Sequence, residues 1–275
     1  MSSWILLRGL TREIRHWGGF PGQLLAEIPE ARVWPLELPG NGELNALASP
    51  ATIAGMASFC RTEAARLGAP PPYFLVAMSL GAMVASAWSR EHPGEIAGCV
   101  LISTSFGRFS PPHHRLRPRA WPALLKILLA RSAEGRERRI LGLTSGLARD
   151  RSQVVAEWAA IRRSRPVSAR NALRQLLAAA AYRAPLAAPV PTLVLAGRGD
   201  RLVDPRCSGA IARRWHCPMA VHPEAGHDLP LDDGAWVAAE IGRWLKTLVE
   251  TLVEPLAVPV EVRQDAFVAG VHQGR

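Results

Sequence analysis

A serine hydroxyl attacks a carbonyl only when a neighbouring base takes its proton and an acid holds that base in place. The chain offers candidates for each part, far apart in sequence. Ser79 ends an apolar run, Phe74-Leu75-Val76-Ala77-Met78, and has small residues, Ala77 and Gly81, two positions away on either side. A strand that turns sharply into a helix at a nucleophile needs such neighbours, because the serine backbone is strained and the helix must approach the strand closely. On its own the pattern is weak, since an ordinary serine in a strand-turn-helix junction presents the same residues. A possible acid, Asp200, follows the apolar stretch Pro191 to Gly197, with Asp204 as its rival on the far side of the same turn. Asp204-Pro205 also reads as the start of a helix, with Asp204 as N-cap and Pro205 at the first position. The base would be His227, in the loop after Met219 to His222, with Asp228 beside it as a loop-fixing residue. Cys217, His222 and His227 lie five residues apart, a spacing that alternates direction along a strand, so no metal site is expected.

The elements that would carry these residues alternate between strand and helix patterns. Trp4 to Leu7, Ala31 to Leu36, Phe74 to Met78, Ile96 to Ser103, Pro191 to Ala196 and Met219 to His222 read as strands. Several are apolar at nearly every position, as in a parallel sheet covered on both faces. Helices are expected over Phe20 to Ile28, Thr52 to Leu67, Leu80 to His92 and about Asp233 to Glu250. In the second, Ile53, Met56, Ala57, Cys60, Ala64 and Leu67 recur at helical spacing and form one stripe. From about 107 to 187 the alternation stops, and four arginine-rich helices are expected: Pro118 to Arg131, Glu137 to Leu147, Asp150 to Arg163 and Ser168 to Arg183.

The order Ser79, Asp200, His227, each in a loop after a strand, resembles the α/β-hydrolase superfamily, in particular its small capped serine esterases. The likeness runs from roughly residue 3 to 248. It includes Arg8-Gly9-Leu10, where the family has His-Gly-x, and Glu37-Leu38-Pro39-Gly40-Asn41-Gly42, similar to the family's Asp-x-Pro-Gly-x-Gly loop. The resemblance implies an α/β fold with a mostly parallel sheet of about six strands flanked by helices. It implies a core of residues 1–106 and 188–250 and a helical cap of residues 107–187; residues 251–275 are expected as a C-terminal tail, outside the likeness from Glu254 on, either as a tail alone or with an edge strand at Pro259 to Arg263. Gly197-Arg198-Gly199-Asp200 matches the family's acid loop, which favours Asp200 over Asp204. The same resemblance makes Ser79, Asp200 and His227 the catalytic triad and the amides of Leu10 and Leu80 the oxyanion hole. Gly9, Trp121, Leu125 and Trp158 would contact substrate, although cap residues of this kind more often pack the cap onto the body. Arg8 replaces the family histidine and is expected in a salt bridge to Glu13 or Glu37.

The chemistry implied is hydrolysis of a carboxylester or thioester through an acyl-enzyme. It requires no cofactor, and a carboxylester of a medium-length acyl chain suits an apolar cap with cationic edges. A binding protein on the same fold with little turnover, or an acyltransferase using the same triad, are the alternatives. The charge is uneven: residues 106–188 hold 17 arginines and lysines against four acids, while the rest of the chain is slightly acidic. Such a segment attracts anionic surfaces, so weak association with anionic lipid or an acidic carrier protein is a candidate partnership beside the small-molecule acyl substrate. No nucleic-acid partner is expected, because no motif of that kind accompanies the charge; only two of the 33 basic residues are lysines, so coding bias is a competing source of the arginines. The four cysteines show no paired spacing and are expected to be free thiols. With no signal segment or span of about twenty apolar residues, a cytoplasmic monomer or dimer is expected.

Overall fold

The computed structural model describes residues 2–253. The proposed tail, with its edge strand at Pro259 to Arg263, lies outside the described residues apart from the end of the last helix. Six parallel strands form one sheet: β1 (Ser2–Leu7), β2 (Ala31–Leu36), β3 (Tyr73–Met78), β4 (Ile96–Ile102), β5 (Thr192–Gly197) and β6 (Met219–His222), in the order β2-β1-β3-β4-β5-β6. This is an α/β-hydrolase sheet, as the resemblance implies.

Side chains alternate across each strand, so an all-apolar strand feeds two cores. Ile5, Leu7, Leu75, Ala77 and Leu101 pack on α2 (Ile53–Arg66) and α3 (Leu80–Glu91). Trp4, Leu6, Val76, Val100 and Leu195 pack on the opposite side against α1 (Phe20–Glu27) and the final helix. α2 buries the expected stripe except Leu67, which falls at the C-cap and is exposed. Thr52 caps its start by accepting from the Gly55 amide, satisfying one of the helix's free N–H groups.

Between β4 and β5 the chain forms α4 (Pro112–Arg115), α5 (Trp121–Leu128), α6 (Ala133–Thr144), α7 (Arg151–Ser164) and α8 (Ala169–Ala181). The helix expected from Pro118 is shorter, because a single 3₁₀ turn over Pro118–Ala120 precedes α5. Ser132, Asp150 and Ser168 cap α6, α7 and α8 through side chains that accept a backbone N–H three residues on. α9 (Arg206–Trp215) leads to β6, and α10 (Leu229–Val253) closes the described chain, starting earlier than expected across a non-helical Asp233. No helix among the described residues is long and apolar enough to cross a membrane. Cys60, Cys99 and Cys207 are buried free thiols and Cys217 is partly exposed; burial pushes the thiols of Cys60 and Cys99 up to about 12.

Candidate active site

Ser79 sits between β3 and α3 with φ 53° and ψ −113°, a left-handed backbone that a serine adopts only when its surroundings enforce it. The Ser79 amide donates to Ile102 O on β4 at 2.9 Å, and Thr104 Oγ1 donates to Ser79 O at 2.9 Å. Gly81 makes the turn possible: a Cβ there would lie 2.4 Å from Leu7 O and 2.6 Å from Arg8 O. Ala77, by contrast, is an ordinary buried strand residue, so alanine is accommodated at the other flanking position. The loop after β1 lies against the serine: a Cβ on Gly9 would stand 3.2 Å from Ser79 Cβ and 3.7 Å from its Oγ. Leu10 follows Gly9 on this loop, and Leu80 opens α3, where the first amides of a helix have no partner within it.

Asp200 and His227 are brought together. Asp200 Oδ2 is 2.7 Å from His227 Nδ1, and its Oδ1 accepts from the amides of Leu202 and Val203 at 2.8 and 2.9 Å. Both side chains are buried. Burial alone lowers the basicity of the His227 imidazole, but the adjacent Asp200 charge and hydrogen bond outweigh it, and its pKa is raised above the ordinary 6.5. Asp204 is turned away into a bidentate pair with Arg206, whose hydrogen bond brings the Asp204 carboxyl down to about 2. It does not act as the expected N-cap: Pro205 holds that position before α9, while Asp204 Oδ1 accepts from the Arg206 amide.

Arg8 does not pair with Glu13 or Glu37. Glu13 binds Arg15, and Glu37 accepts the Ile14 amide. The Arg8 guanidinium instead crosses to the loop after β6 and grips Asp228 at both carboxylate oxygens, 3.1 and 2.6 Å, with its face over Trp17. Both partners are buried. The pair therefore joins the loop beside Ser79 to the residue next to His227, which makes Asp228 the loop-fixing residue it was expected to be. Glu37, denied a cation, is pushed up to about 7 by burial.

Trp158 does not face a channel. It is buried with Leu141, Val155 and Ile161, and the Arg12 guanidinium covers its ring at 4.1 Å. Arg12 also pairs with the fully buried Glu137, which in turn binds Arg162. Trp121 and Leu125, on α5, remain 60% and 56% exposed. Sequence reasoning missed Gln175 altogether. From α8 its Oε1 accepts the Thr11 amide at 3.0 Å, and its Nε2 donates to Asn41 Oδ1 and Ser49 Oγ. It fixes the turn that follows Leu10; the only signal for it was a polar residue on the helix face that also holds Asn171 and Ala178.

The alpha/beta hydrolase family pattern matches residues 4–240. The pimeloyl-[acyl-carrier protein] methyl ester esterase of Methylococcus capsulatus is 31% identical over 223 residues, 76% of this chain and 80% of that protein. Among solved structures, a thermophilic esterase from Thermogutta terrifontis superposes with a TM-score of 0.69 at 24% identity, covering 90% of each chain. An esterase from Rhodococcus gives 0.68 at 19% identity, over 90% of this chain and 91% of its own. A meta-cleavage product hydrolase from Pseudomonas fluorescens gives 0.69 at 14%, covering 90% and 92%.

Proposed function

Because the chain belongs to the alpha/beta hydrolase family, we propose that this esterase-like enzyme is a serine hydrolase that cleaves a carboxylester through an acyl-enzyme formed on Ser79. The observation that carries the reading is the buried 2.7 Å contact between Asp200 and His227 at the same edge of the sheet as a strained Ser79. In this mechanism His227 takes the Ser79 proton as Oγ attacks the ester carbonyl. Asp200 holds the imidazole with Nδ1 protonated and stabilises the imidazolium that forms. The Leu80 and Leu10 amides receive the oxyanion, a role that the closeness of Gly9 to the serine supports. The protonated His227 releases the alcohol, then activates water to free the acid and restore Ser79. No hydrogen bond joins His227 Nε2 to Ser79 Oγ among the described residues, and the mechanism requires that one form when substrate binds.

For substrate, a carboxylester on a medium-length acyl chain is favoured, with α5–α8 as the cap and Trp121 and Leu125 at its mouth. An acidic carrier protein presenting the acyl chain suits both the arginine-rich segment and the acyl-carrier protein ester named for the Methylococcus relative. The test is a panel of p-nitrophenyl esters and carrier-borne methyl esters against wild type and Ser79→Ala, with fluorophosphonate labelling. Turnover and labelling should vanish together in the variant. Equal turnover in both proteins would reject the mechanism. The acyltransferase reading predicts instead that added alcohols increase ester product without releasing more acid.

A further inference from the structure

Where α5 and α6 meet the loop that carries Asp200 there is a cleft of about 460 Å³ with six cations in its wall: Arg117, Arg119, Lys126, Arg139, Arg198 and Arg201. Its one acidic residue is Asp200, whose carboxylate already serves His227 and the amides of Leu202 and Val203. None of the six pairs with a carboxylate among the described residues, although ten other arginines of the chain besides Arg8 do. Three are nonetheless held in place by backbone carbonyls. Arg117 Nη1 donates to Asp200 O at 2.6 Å, Arg139 Nη1 to Gly135 O at 2.6 Å, and Arg201 Nη1 to Gly142 O at 3.3 Å.

Like charges gathered on a concave wall repel one another and focus a positive potential into the cleft. A single carboxylate offsets one of the six. A diphosphate, or two closely spaced phosphates, offsets several and offers the oxygen array that guanidinium forks grip in pairs. We propose that this cleft is a binding site for a ligand bearing a diphosphate or closely spaced phosphate groups. The site does not depend on the esterase mechanism, since none of the six cations is assigned a part in it. The phosphates can come from a soluble molecule or from a lipid headgroup. A lipid source has a matching apolar face, since α5, which supplies Lys126, and its C-cap expose Leu128 and Leu129 as well as Trp121 and Leu125.

Calorimetric titration of the full chain with inorganic pyrophosphate tests the proposal. Saturable binding that weakens with salt is expected in the wild type, and loss of about tenfold or more in affinity in Arg119→Glu/Lys126→Glu, two exposed residues. Arg32→Glu/Arg90→Glu makes the same change of charge on other exposed surfaces and should cost less than about threefold. Should the first double variant fail to fold by circular dichroism, Arg198→Gln reads the same site with a smaller change. Co-sedimentation with phosphatidylglycerol vesicles then names the source: retention of wild type but not of the cleft variant assigns the phosphates to a headgroup, and no retention assigns them to a soluble ligand. Absence of pyrophosphate binding, or equal weakening in both double variants, overturns the proposal.

Discussion

Replacing Asp228 by asparagine removes the carboxylate from a buried bidentate pair while keeping the shape of the side chain. The Arg8 guanidinium then stays buried, at 2% exposure, with its charge unopposed and an amide NH₂ turned towards one of its own donors. Breaking such a pair by removing one partner destabilises by about 3–5 kcal/mol, because the survivor has lost its water as well as its counter-ion. The variant should therefore show that loss in urea unfolding at neutral pH. Arg8→Met/Asp228→Asn, which leaves no charge, should recover most of it and lie within about 2 kcal/mol of wild type. The proposed active site gives a second, independent readout. Asp228 raises the His227 pKa and Arg8 lowers it, so the single variants move the base in opposite directions. In Asp228→Asn the acid limb of kcat/KM shifts to lower pH; in Arg8→Met it shifts to higher pH. Rates on a p-nitrophenyl ester over roughly pH 5 to 9 measure both limbs. Single variants that each lose less than about 1 kcal/mol, or acid limbs that move the same way, would refute the reasoning that this pair couples the two loops.

Asp200→Asn should lower kcat by about 10⁴-fold with the fold intact, because the imidazole loses its tautomer and counter-charge, whereas Asp204→Asn should leave kcat within a few-fold; single-turnover kinetics of the two variants decide between the acids. Gly81→Ala should lose several kcal/mol of stability or fail to fold, as its Cβ would meet two carbonyl oxygens at under 3 Å, and Ala77→Gly, measured by the same thermal melts, should be far milder. Glu37, raised to about 7, binds a proton in the folded state that the unfolded chain has already released, so stability falls as pH rises from about 4.5 to about 7. Glu37→Gln removes that proton uptake, and its unfolding free energy relative to wild type, measured in urea, should climb across the window by roughly 3 kcal/mol, at about 1.36 kcal/mol per pH unit; a difference that does not change with pH would contradict this.

Much of the site could be read from the chain because its parts are local. The apolar run ending at Ser79, with Gly81 two residues on, dictates a strand, a tight turn and a helix, and the reason lies within a few residues: only glycine fits against the Leu7 and Arg8 carbonyls. The helical stripe of α2 and the all-apolar strands are likewise set by periodicity, which fixes which side chains point inward before any partner is known. The choice of partner across the chain was not legible. Two aspartates flank one turn, and only the folded loop shows that Asp200 turns to His227 while Asp204 is taken up by Arg206. Trp158 has the composition of a pocket residue and the position of a core one, because α7 rolls it beneath Arg12.

Arg8 draws the line most clearly. Its charge, and its position just after the first strand, are in the sequence; nearby glutamates made the obvious partners. The parallel run of the strands decided otherwise, putting the loops after β1 and β6 at the same end of the sheet, where the guanidinium reaches Asp228, 220 residues away. Secondary structure answers to short-range sterics and side-chain alternation, which a sequence displays directly. Ion pairing and the orientation of a catalytic acid answer to which loops converge, and that exists only once the strands have taken their places.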